Sequence, residues 1–522
     1  MLNIFKLNKR LYCFALAICL FSNPLFAQHN YKVSRKLIRV GKLAEAVDVL
    51  DGRIAKYPAD SEWRYQLAIA RAQLGELDAA MEVLAKSIEM GITPGRVVAD
   101  ARDLLKPLGD VEVFKTLVES QKGLPVQGPM IGAITDKSVL IWLRTSNASS
   151  VAIQVRNKAG KLIGSGERGT STESDFTCVV EVTGLNPDVD YNYSVLINGK
   201  AAEAVSHQSF RTSPHQGKPL KFVLAFGGGA GYVTKNERMW DSIGTFNPRL
   251  LLLLGDNIYS DDPKSPQMQK FCYYRRQSPP PFRRLVARTP VYSIWDDHDF
   301  GTNDCSGGPD IDVPEWKRPV WKVFKQNWAN PHYGGGTEQP GCWYDFHVGN
   351  VHFIMLDGRY YRHHQSKTML GPVQKAWLKK TVKGSNATFK VLASPVPWDY
   401  RTKGKSRDTW NGYQEERTEI FDFLADNKIE GVMLMSADRH RSDAWRIDRP
   451  SGYPLYEFNS SRLTNNHVHG TMKAAIFSYN KKQSFGLVEF DTTVADPSVT
   501  YTVVTIDGEK MHTLVLKRSQ MK

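Results

Sequence analysis

The sequence predicts a layered α/β domain that follows an all-α repeat segment and a small β-sandwich. From residue 218 onward, short apolar runs alternate with helix-like segments. An internal repeat lies near the N-terminus, and strand-like runs separated by turns lie between these two regions. Apolar runs of this length are typical of strands that are buried on both faces. A chain of 522 residues exceeds one domain of ordinary size, which agrees with this division.

The first residues have the pattern of a secretory signal peptide. Three basic residues precede an apolar stretch at 11–21, and the small residue Ala27 follows. We therefore predict a signal peptide over residues 1–27 and a secreted or periplasmic protein. The apolar stretch is shorter than the roughly 20 residues that span a bilayer, and no later stretch is long enough. The sequence thus predicts no transmembrane segment.

The repeat follows the signal peptide. Residues 41–47 recur at 75–81, and a degenerate third copy surrounds Gly109. The pattern resembles the tetratricopeptide repeat, in which paired helices pack through small residues. We predict helical repeats over residues 31–122. Arrays of this kind bind protein segments, so a protein partner is one interpretation, and a structural spacer explains the pattern equally well.

A β-sandwich is predicted over residues 127–213. Its strand-like runs lie at 138–143, 151–155 and 191–195, and turn-rich stretches separate them. Leu185, Pro187 and Tyr191 form a Leu-x-Pro-x-x-x-Tyr pattern that resembles fibronectin type III domains. The segment contains no residue pattern that indicates chemistry.

Neither the net charge nor the cysteine content excludes a class of function. The formal net charge of +14 suits phosphorylated substrates, nucleic acid or anionic lipid, but the basic residues are scattered, so a basic surface without a partner explains them as well. We therefore consider nucleic acid only as a candidate substrate and not as a separate binding partner. Four cysteines follow the signal peptide, and three pairings are open to them. We expect a disulfide among Cys272, Cys305 and Cys342, and the absence of CxxC spacing argues against cysteine as a metal ligand.

Polar side chains follow three of the apolar runs directly. The runs at 250–254, 291–295 and 431–435 are followed directly by Gly-Asp-Asn-Ile-Tyr, Asp-Asp-His-Asp and Ser-Ala-Asp-Arg-His, respectively. Adjacent carboxylates are costly to bury unless a cation neutralises them. Carboxylate and imidazole groups are common metal ligands. The order of the three motifs therefore predicts one metal site at the strand ends, whereas any single motif is also explained by a turn or a helix cap.

These stretches resemble the calcineurin-like metallophosphoesterases, and among them the PhoD-like (alkaline phosphatase D) family. Trp-Asp-Asp-His-Asp-Phe-Gly-Thr-Asn-Asp, Leu-Asp-Gly-Arg-Tyr-Tyr-Arg at 356–362 and Leu-Gly-x-x-Gln-x-x-Trp-Leu at 370–378 also match. The resemblance runs from about residue 128 to the C-terminus. It implies an αββα-layered metallophosphoesterase domain over residues 218–522.

The resemblance also implies a set of metal ligands. They are Asp256, Tyr259, Asp297, Asn303, Asp438 and His440. Asp256 would bridge two ions, and Tyr259 would bind one of them as a phenolate. Two or more ions are implied, iron plus calcium, with manganese or zinc as alternatives.

Two residues are expected to act on the phosphoryl group. By resemblance, His298 is a general acid or a transition-state donor, and Arg359 binds phosphate oxygens through its guanidinium fork. For Arg362, two interpretations are open, a contact with phosphate or a salt bridge at the end of a strand. One departure from the family is the turn at 226–232, where a cysteine ligand is common and this chain has glycines around Gly229.

The sequence therefore predicts an exported, metal-dependent phosphoric ester hydrolase that acts on phosphate mono- or diesters. One alternative is a phosphodiesterase or phospholipase that acts on nucleic acid or lipid headgroups. Another is a scaffold without catalysis, whose metal site has degenerated.

Overall fold

The computed structural model describes residues 26–202 and 208–522, with side chains from Tyr31 onward. The predicted signal peptide lies outside the described residues except for its last two positions. Within the described ranges, no helix has the length and apolar character needed to cross a membrane.

The N-terminal segment consists of helices. They are α1 (Phe26–Arg39), α2 (Leu43–Lys56), α3 (Ser61–Leu74), α4 (Leu77–Glu89), α5 (Pro94–Ala99) and α6 (Glu112–Ser120). The first four pack as consecutive neighbours, and Gly75 ends α3 in the left-handed region with φ of 81°. The degenerate third copy departs from this pattern, because Gly109 lies in a 3₁₀ helix (Lys106–Asp110). Pro94 begins α5 and Pro107 is the second residue of the 3₁₀ helix, first-turn positions where a missing N–H costs no helical hydrogen bond.

This helical segment packs onto the large C-terminal domain. The Arg35 guanidinium lies 4.4 Å from the ring centre of Phe271, and that of Arg275 lies 5.1 Å from the ring centre of Tyr31. Arg35 also forms a buried ion pair with Asp100 at 3.0 Å. The N-terminal helices are therefore fixed against the domain that carries the candidate site.

A β-sandwich follows the helices. Its strands are β1 (Pro125–Ile134), β2 (Ser138–Thr145), β3 (Ser150–Arg156), β4 (Leu162–Gly169), β5 (Thr177–Thr183), β6 (Asp190–Ile197), β7 (Lys200–Ala201) and β8 (Ser209–Arg211). They form one sheet of order β1-β2-β5 and one of order β4-β3-β6-β7, with β8 beside β6. The Tyr191 hydroxyl accepts a hydrogen bond from the Asn186 amide at 2.9 Å, the tyrosine corner of such sandwiches.

The remaining elements build the C-terminal domain. Its first half contains β9 (Lys221–Gly227), α7 (Met239–Thr245), β10 (Leu251–Leu254), α8 (Pro266–Gln277), α9 (Pro280–Val286), β11 (Val291–Ile294), α10 (Asp297–Phe300), α11 (Lys317–Asn327), β12 (Tyr344–Val348) and β13 (Val351–Met355). Its second half contains α12 (Gly371–Lys383), β14 (Phe389–Ala393), α13 (Gln414–Asp426), β15 (Val432–Ser436), β16 (Ser442–Ile447), β17 (Leu455–Ser460), β18 (Phe477–Tyr479), β19 (Ser484–Asp491), β20 (Ser498–Thr505) and β21 (Lys510–Lys517).

Two mixed sheets form the core of this domain. The first has the order β11-β10-β9-β19-β20-β21 and the second β12-β13-β14-β15-β17-β16-β18. They face each other through aromatic pairs, with Phe458 stacked on Tyr501 at 4.5 Å and Phe353 edge-on to Phe490 at 6.1 Å between ring centres. Helix α12 packs against β13 and α13, α7 packs against α9, and α9 also contacts β1. The predicted layered α/β fold is confirmed.

The cysteine prediction needs a correction. Cys178, Cys272, Cys305 and Cys342 are all free thiols in the described part of the chain. Of the three thiols expected to pair, Cys272 lies in α8, Cys305 lies between α10 and α11, and Cys342 lies just before β12. The position of these cysteines in motif-bearing loops was therefore not sufficient to predict a disulfide.

Candidate metal centre

The candidate site forms where parallel strands end. Strands β9, β10 and β11 run parallel in one sheet, and β15 and β17 run parallel in the other. Because the carboxyl ends of parallel strands share an edge, the loops after them meet there. Gly255 allows this approach, since a Cβ at that position would lie 2.5 Å from the Cβ of Asp296.

Three of the predicted ligands adopt a left-handed backbone. The φ angles are 52° at Asp256, 62° at Asp438 and 45° at His440. Such a conformation costs a residue other than glycine about 1–3 kcal/mol and is concentrated at functional sites. The surrounding fold therefore holds these three side chains in place at the expense of local backbone strain.

The loops enclose a cavity of about 570 Å³. The predicted residues that line it are Asp256, Tyr259, Asp297, His298, Asn303, Asp438 and His440. The exposed Asn303 lies at the rim, whereas Asp256 and Asp297 are buried at the base. The structure thus brings seven of the eight predicted site residues to one cavity.

Asp256 and Tyr259 are joined directly. The Tyr259 hydroxyl donates to Asp256 Oδ2 at 2.9 Å, and Asn465 Nδ2 donates to the Tyr259 oxygen at 2.6 Å. The other carboxylate oxygen of Asp256, Oδ1, is buried and has no hydrogen-bond partner among the described residues. Burial raises the pKa of Asp256 well above its ordinary value. A bound cation would satisfy this oxygen and favour the charged form.

His298 is held by an acidic neighbour. Its Nδ1 is hydrogen-bonded to Asp261, and its ring lies 4.4 Å from that of Tyr259, centre to centre. Burial by itself lowers the pKa of His298, but nearby carboxylates, led by Asp297 and Asp256, outweigh burial and hold that pKa well above its ordinary value. These carboxylates therefore favour the protonated form of the imidazole.

Asp297 and Asp438 complete the acidic part of the site. Asp297 Oδ2 accepts the Asp304 amide at 2.6 Å. Burial raises the pKa of Asp297, but Arg359 and His298 lower it below its ordinary value. Asp438 accepts a hydrogen bond from Arg439 at 3.3 Å. Asp256, Asp297 and His298 each offer a ligand atom within 4.8 Å of the others, so this group is able to hold a metal ion.

Arg359 does not reach the cavity. Its side chain is fully buried beneath the site and donates to Asp296, to Asp408 at 2.7 Å and to the Cys305 carbonyl at 3.1 Å. Arg362 donates to the same Asp408 oxygen at 2.7 Å. Both arginines occupy the salt-bridge arrangement, and the geometry gives no support to a contact between Arg359 and phosphate.

The glycine turn after β9 leaves no room for a side chain. A Cβ at Gly228 would lie 2.6 Å from the Cβ of Ala437. A Cβ at Gly229, where φ is 66°, would lie 2.9 Å from the backbone nitrogen of Arg462. The turn therefore supports the neighbouring loop by its backbone and offers no ligand.

Several cavity residues were not anticipated from the sequence. They are Lys32, Asp261, Asn465, His467 and His469. The His-x-His spacing of the last two was a usable signal, since alternate residues of an extended chain point to the same side. Lys32 carried no signal, because it arrives by the packing of α1 against the C-terminal domain.

Comparisons with known proteins agree with this architecture. A family model described as PhoD-like phosphatase matches residues 224–512, and one described as a domain of unknown function (DUF7800) matches residues 123–215. Alkaline phosphatase D of Bacillus subtilis (strain 168) is 28% identical over 149 residues, which is 24% of this chain and only 25% of that relative. The resemblance inferred from the motifs is confirmed at the level of the family.

Two solved structures show the fold. The structure of PhoD superposes with a TM-score of 0.63 and 17% identity, and the match covers 75% of this chain and 90% of that one. The purple acid phosphatase PPD1 from yellow lupin (Lupinus luteus) superposes with a TM-score of 0.55 and 11% identity over 75% of each chain.

Proposed function

The chain belongs to the PhoD-like phosphatase family, and from this premise we propose that it is an exported, metal-dependent enzyme that hydrolyses phosphate mono- or diesters. One observation carries the proposal. Three strand ends place carboxylate, phenol and imidazole groups around one cavity, and a buried oxygen of Asp256 faces no donor among the described residues. An uncompensated buried carboxylate is costly unless it binds a cation.

The residues present fit metal ions. The proposed ligands are Asp256, Tyr259, Asp297, Asn303, Asp438 and His440. Oxygen donors dominate this set, which favours hard ions, and the phenol and imidazole add donors suited to iron or zinc. We propose two or more ions, iron plus calcium, with manganese or zinc as alternatives. When bound, such ions neutralise phosphoryl oxygens and lower the pKa of water.

His298 supplies the proton in this proposal. Asp261 fixes its Nδ1, and the carboxylates around the ring hold the pKa of His298 well above its ordinary value. The imidazolium carries its other proton on Nε2, and donation of that proton neutralises the leaving-group oxygen as the ester bond breaks. Asp261 orients the ring and stabilises its charge.

Basic side chains line the cavity and suit an anionic substrate. Lys32, Lys403 and Arg439 lie among the acidic ligands and contribute positive charge where a phosphate would enter. Such charge attracts and orients phosphate esters. Arg359 is proposed as a positioning residue, because its buried bonds hold Asp296 beneath the site.

Export and partners remain parts of the proposal. The signal pattern at residues 1–27 supports a secreted or periplasmic location, and the helical repeats offer a surface for a protein partner on the side that does not face the C-terminal domain. The scaffold alternative differs from the enzyme in one measurable respect, which is turnover.

The test is metal removal and reconstitution. Protein purified without its first 27 residues is stripped with a chelator and assayed with 4-nitrophenyl phosphate and bis(4-nitrophenyl) phosphate. We expect no hydrolysis by the stripped protein and recovery with iron plus calcium, or with manganese or zinc. Preference for one ester decides between monoesterase and diesterase. A protein that stays inactive with every ion on both esters, while retaining its thermal unfolding transition, would support the scaffold instead.

A further inference from the structure

A second group of possible metal ligands lies on the hairpin formed by β12 and β13. Asp345, His347 and His352 each offer a ligand atom, and these atoms all lie within 4.8 Å of one another. Asp345 and His347 are two residues apart in β12, so their side chains point to the same face of the strand. His352 in β13 is the direct cross-strand partner of His347, so its side chain stands on that face as well. The register of one hairpin therefore brings the three side chains together.

This group lies away from the candidate metal centre. Strands β13, β14 and β15 run parallel, and β15 ends next to the loop that carries Asp438. His352 is the second residue of β13 and so lies near the amino end of its strand, whereas the candidate centre lies at the carboxyl ends. The residues that line the cavity of about 570 Å³ do not include any of the three. An ion held on the hairpin would therefore be separate from those proposed around Asp256.

We propose that Asp345, His347 and His352 bind one divalent transition-metal ion of the zinc type, which fastens the two strands of the hairpin to each other. Two imidazoles and one carboxylate form a donor set that suits such ions, whereas calcium and magnesium prefer oxygen ligands alone. Three protein ligands leave the fourth position of a tetrahedral ion to water. The inference rests on these side chains and does not depend on the proposed function.

His347 provides the observation that hydrogen bonding within the group does not explain. Its Nδ1 is buried and has no hydrogen-bond partner in the part of the chain that the structure describes. Such an unpaired polar atom is costly to bury, and an ion on Nδ1 would remove the cost. The proton on Nε2 would then bond to the side-chain amide of Gln216, which lies 3.2 Å away and whose oxygen and nitrogen ends exchange by a half-turn. Burial and the neighbouring His352 lower the pKa of His347 to about 4, which favours the neutral ring that metals bind.

His352 is oriented as histidine ligands usually are. The residue is buried, its Nε2 lies 3.0 Å from Asp345 Oδ2, and its Nδ1 lies 2.9 Å from the Ser385 hydroxyl. A hydrogen bond explains the contact with Asp345 on its own, so that distance does not decide. With an ion on Nε2, the proton moves to Nδ1 and is donated to Ser385. A second hydrogen bond of this kind fixes the ring of a histidine ligand.

Ligation requires rotation of side chains and no movement of the backbone. The rings of His347 and His352 are stacked, with centres 3.9 Å apart and planes at 16°. Because an ion lies close to the plane of each imidazole that binds it, both rings must turn about their Cβ–Cγ bonds to share one ion. The strand register already fixes the two Cβ atoms. The turn of the hairpin is held as well, since the Gly217 amide donates to the Gly349 carbonyl at 3.0 Å. Such preorganisation keeps the entropy lost on binding small.

The first test counts zinc. Wild type, His347→Gln and the matched control His215→Gln are stripped with a chelator, dialysed with Zn²⁺ and analysed by elemental mass spectrometry. His215 is an exposed histidine of the neighbouring linker and pairs with Asp136. We expect His347→Gln to hold one equivalent of zinc fewer than the other two. Its affinity for that zinc should fall about a hundredfold or more, since even the loss of a hydrogen-bond partner of a ligand costs about 10–100-fold. Equal zinc content in the three proteins would overturn the proposal.

Hydrogen exchange locates the ion and, in wild type, needs no substitution. Strand β12 lies at the edge of its sheet, where outward amides exchange readily. Zinc should slow exchange in β12 and β13 of wild type and His215→Gln more than in His347→Gln, which keeps the ligands around Asp256. An unchanged wild-type hairpin on addition of zinc would contradict the site, even if His347→Gln failed to fold.

Hydrolysis separates this inference from the proposed function. All three proteins should hydrolyse the two esters equally when their metals are restored, because the hairpin group does not line the cavity. A wild type that hydrolyses neither ester, but binds the zinc that His347→Gln lacks, would refute the proposed function and support this inference. Hydrolysis without any zinc on the hairpin would do the reverse.

Discussion

Lys32 in the first helix forms an ion pair with Asp261, although 229 residues separate them in the chain. The other oxygen of Asp261 holds Nδ1 of His298. The helical segment thus reaches the charge network of the catalytic domain, and it takes part in the site rather than serving only as a spacer.

This relationship predicts a change in pH dependence. Replacement of Lys32 by Met removes a positive charge beside Asp261, so the pKa of His298 rises further and the alkaline limb of the kcat/KM profile moves to higher pH. Lys36→Met is the matched control, because Lys36 pairs with Asp262, which does not hold the histidine. Identical profiles for the two variants would contradict the connection.

Asp256→Asn separates catalysis from stability. Turnover should fall by about a thousandfold or more, because removal of the Asp256 charge removes electrostatic stabilisation. The metal-free variant should unfold at the same temperature as metal-free wild type or higher, since a buried carboxylate with an unpaired oxygen is costly. Chromogenic assay and calorimetry measure the two effects. Activity near that of wild type would refute the assignment.

His298→Asn tests proton donation. We expect kcat to fall by about 10²–10⁴-fold on alkyl phosphates and by less on 4-nitrophenyl phosphate, because a good leaving group needs little protonation. The slope of log kcat against leaving-group pKa should therefore steepen. The exposed His332, which does not line the cavity, is the control position. An unchanged slope would exclude His298 as the acid.

Arg359→Met distinguishes support from phosphate binding. Loss of this buried partner leaves Asp296 uncompensated, although Arg362 still pairs with Asp408, and the free energy of unfolding should fall by about 3–5 kcal/mol. The inhibition constant of inorganic phosphate should stay the same in the folded protein. Arg439→Met, at a residue that lines the cavity, should raise that constant. The reverse pattern would restore Arg359 as a phosphate ligand.

Glu62 predicts acid sensitivity in the helical segment. Burial opposes ionisation, but two hydrogen bonds from Arg96, at 2.6 and 2.8 Å, lower the pKa of Glu62 to about 2. The folded-state pKa lies below the ordinary value of 4.5. The resulting stability, about 3 kcal/mol, is present above about pH 4.5 and is lost as the pH falls to 2. Hydrogen exchange in α3 should therefore accelerate from pH 5 to pH 3, relative to intrinsic rates. Glu62→Gln should remove this dependence, whereas the exposed Glu45→Gln should keep it.

The motifs at strand ends could be predicted because the local sequence indicates both the strand and the residue at which it ends. A buried run followed at once by Gly-Asp or Asp-Asp-His places its polar groups at one edge of a sheet, whichever tertiary contacts form. This reasoning located Asp256, His298 and His440. It failed for Arg359, because a guanidinium is equally suited to phosphate and to carboxylate, and only the fold shows that Asp296 and Asp408 already occupy it.

The sequence alone determined the family, the order of the domains and most of the proposed ligands, since these depend on runs and motifs within short stretches. Tertiary structure decided which distant segments meet there. Lys32 enters the cavity through helix packing, and His467 and His469 join His440 because their loop lies against the glycine turn after β9. Such contacts depend on how much surface two whole segments bury against each other, and this cannot be predicted from any short stretch of sequence.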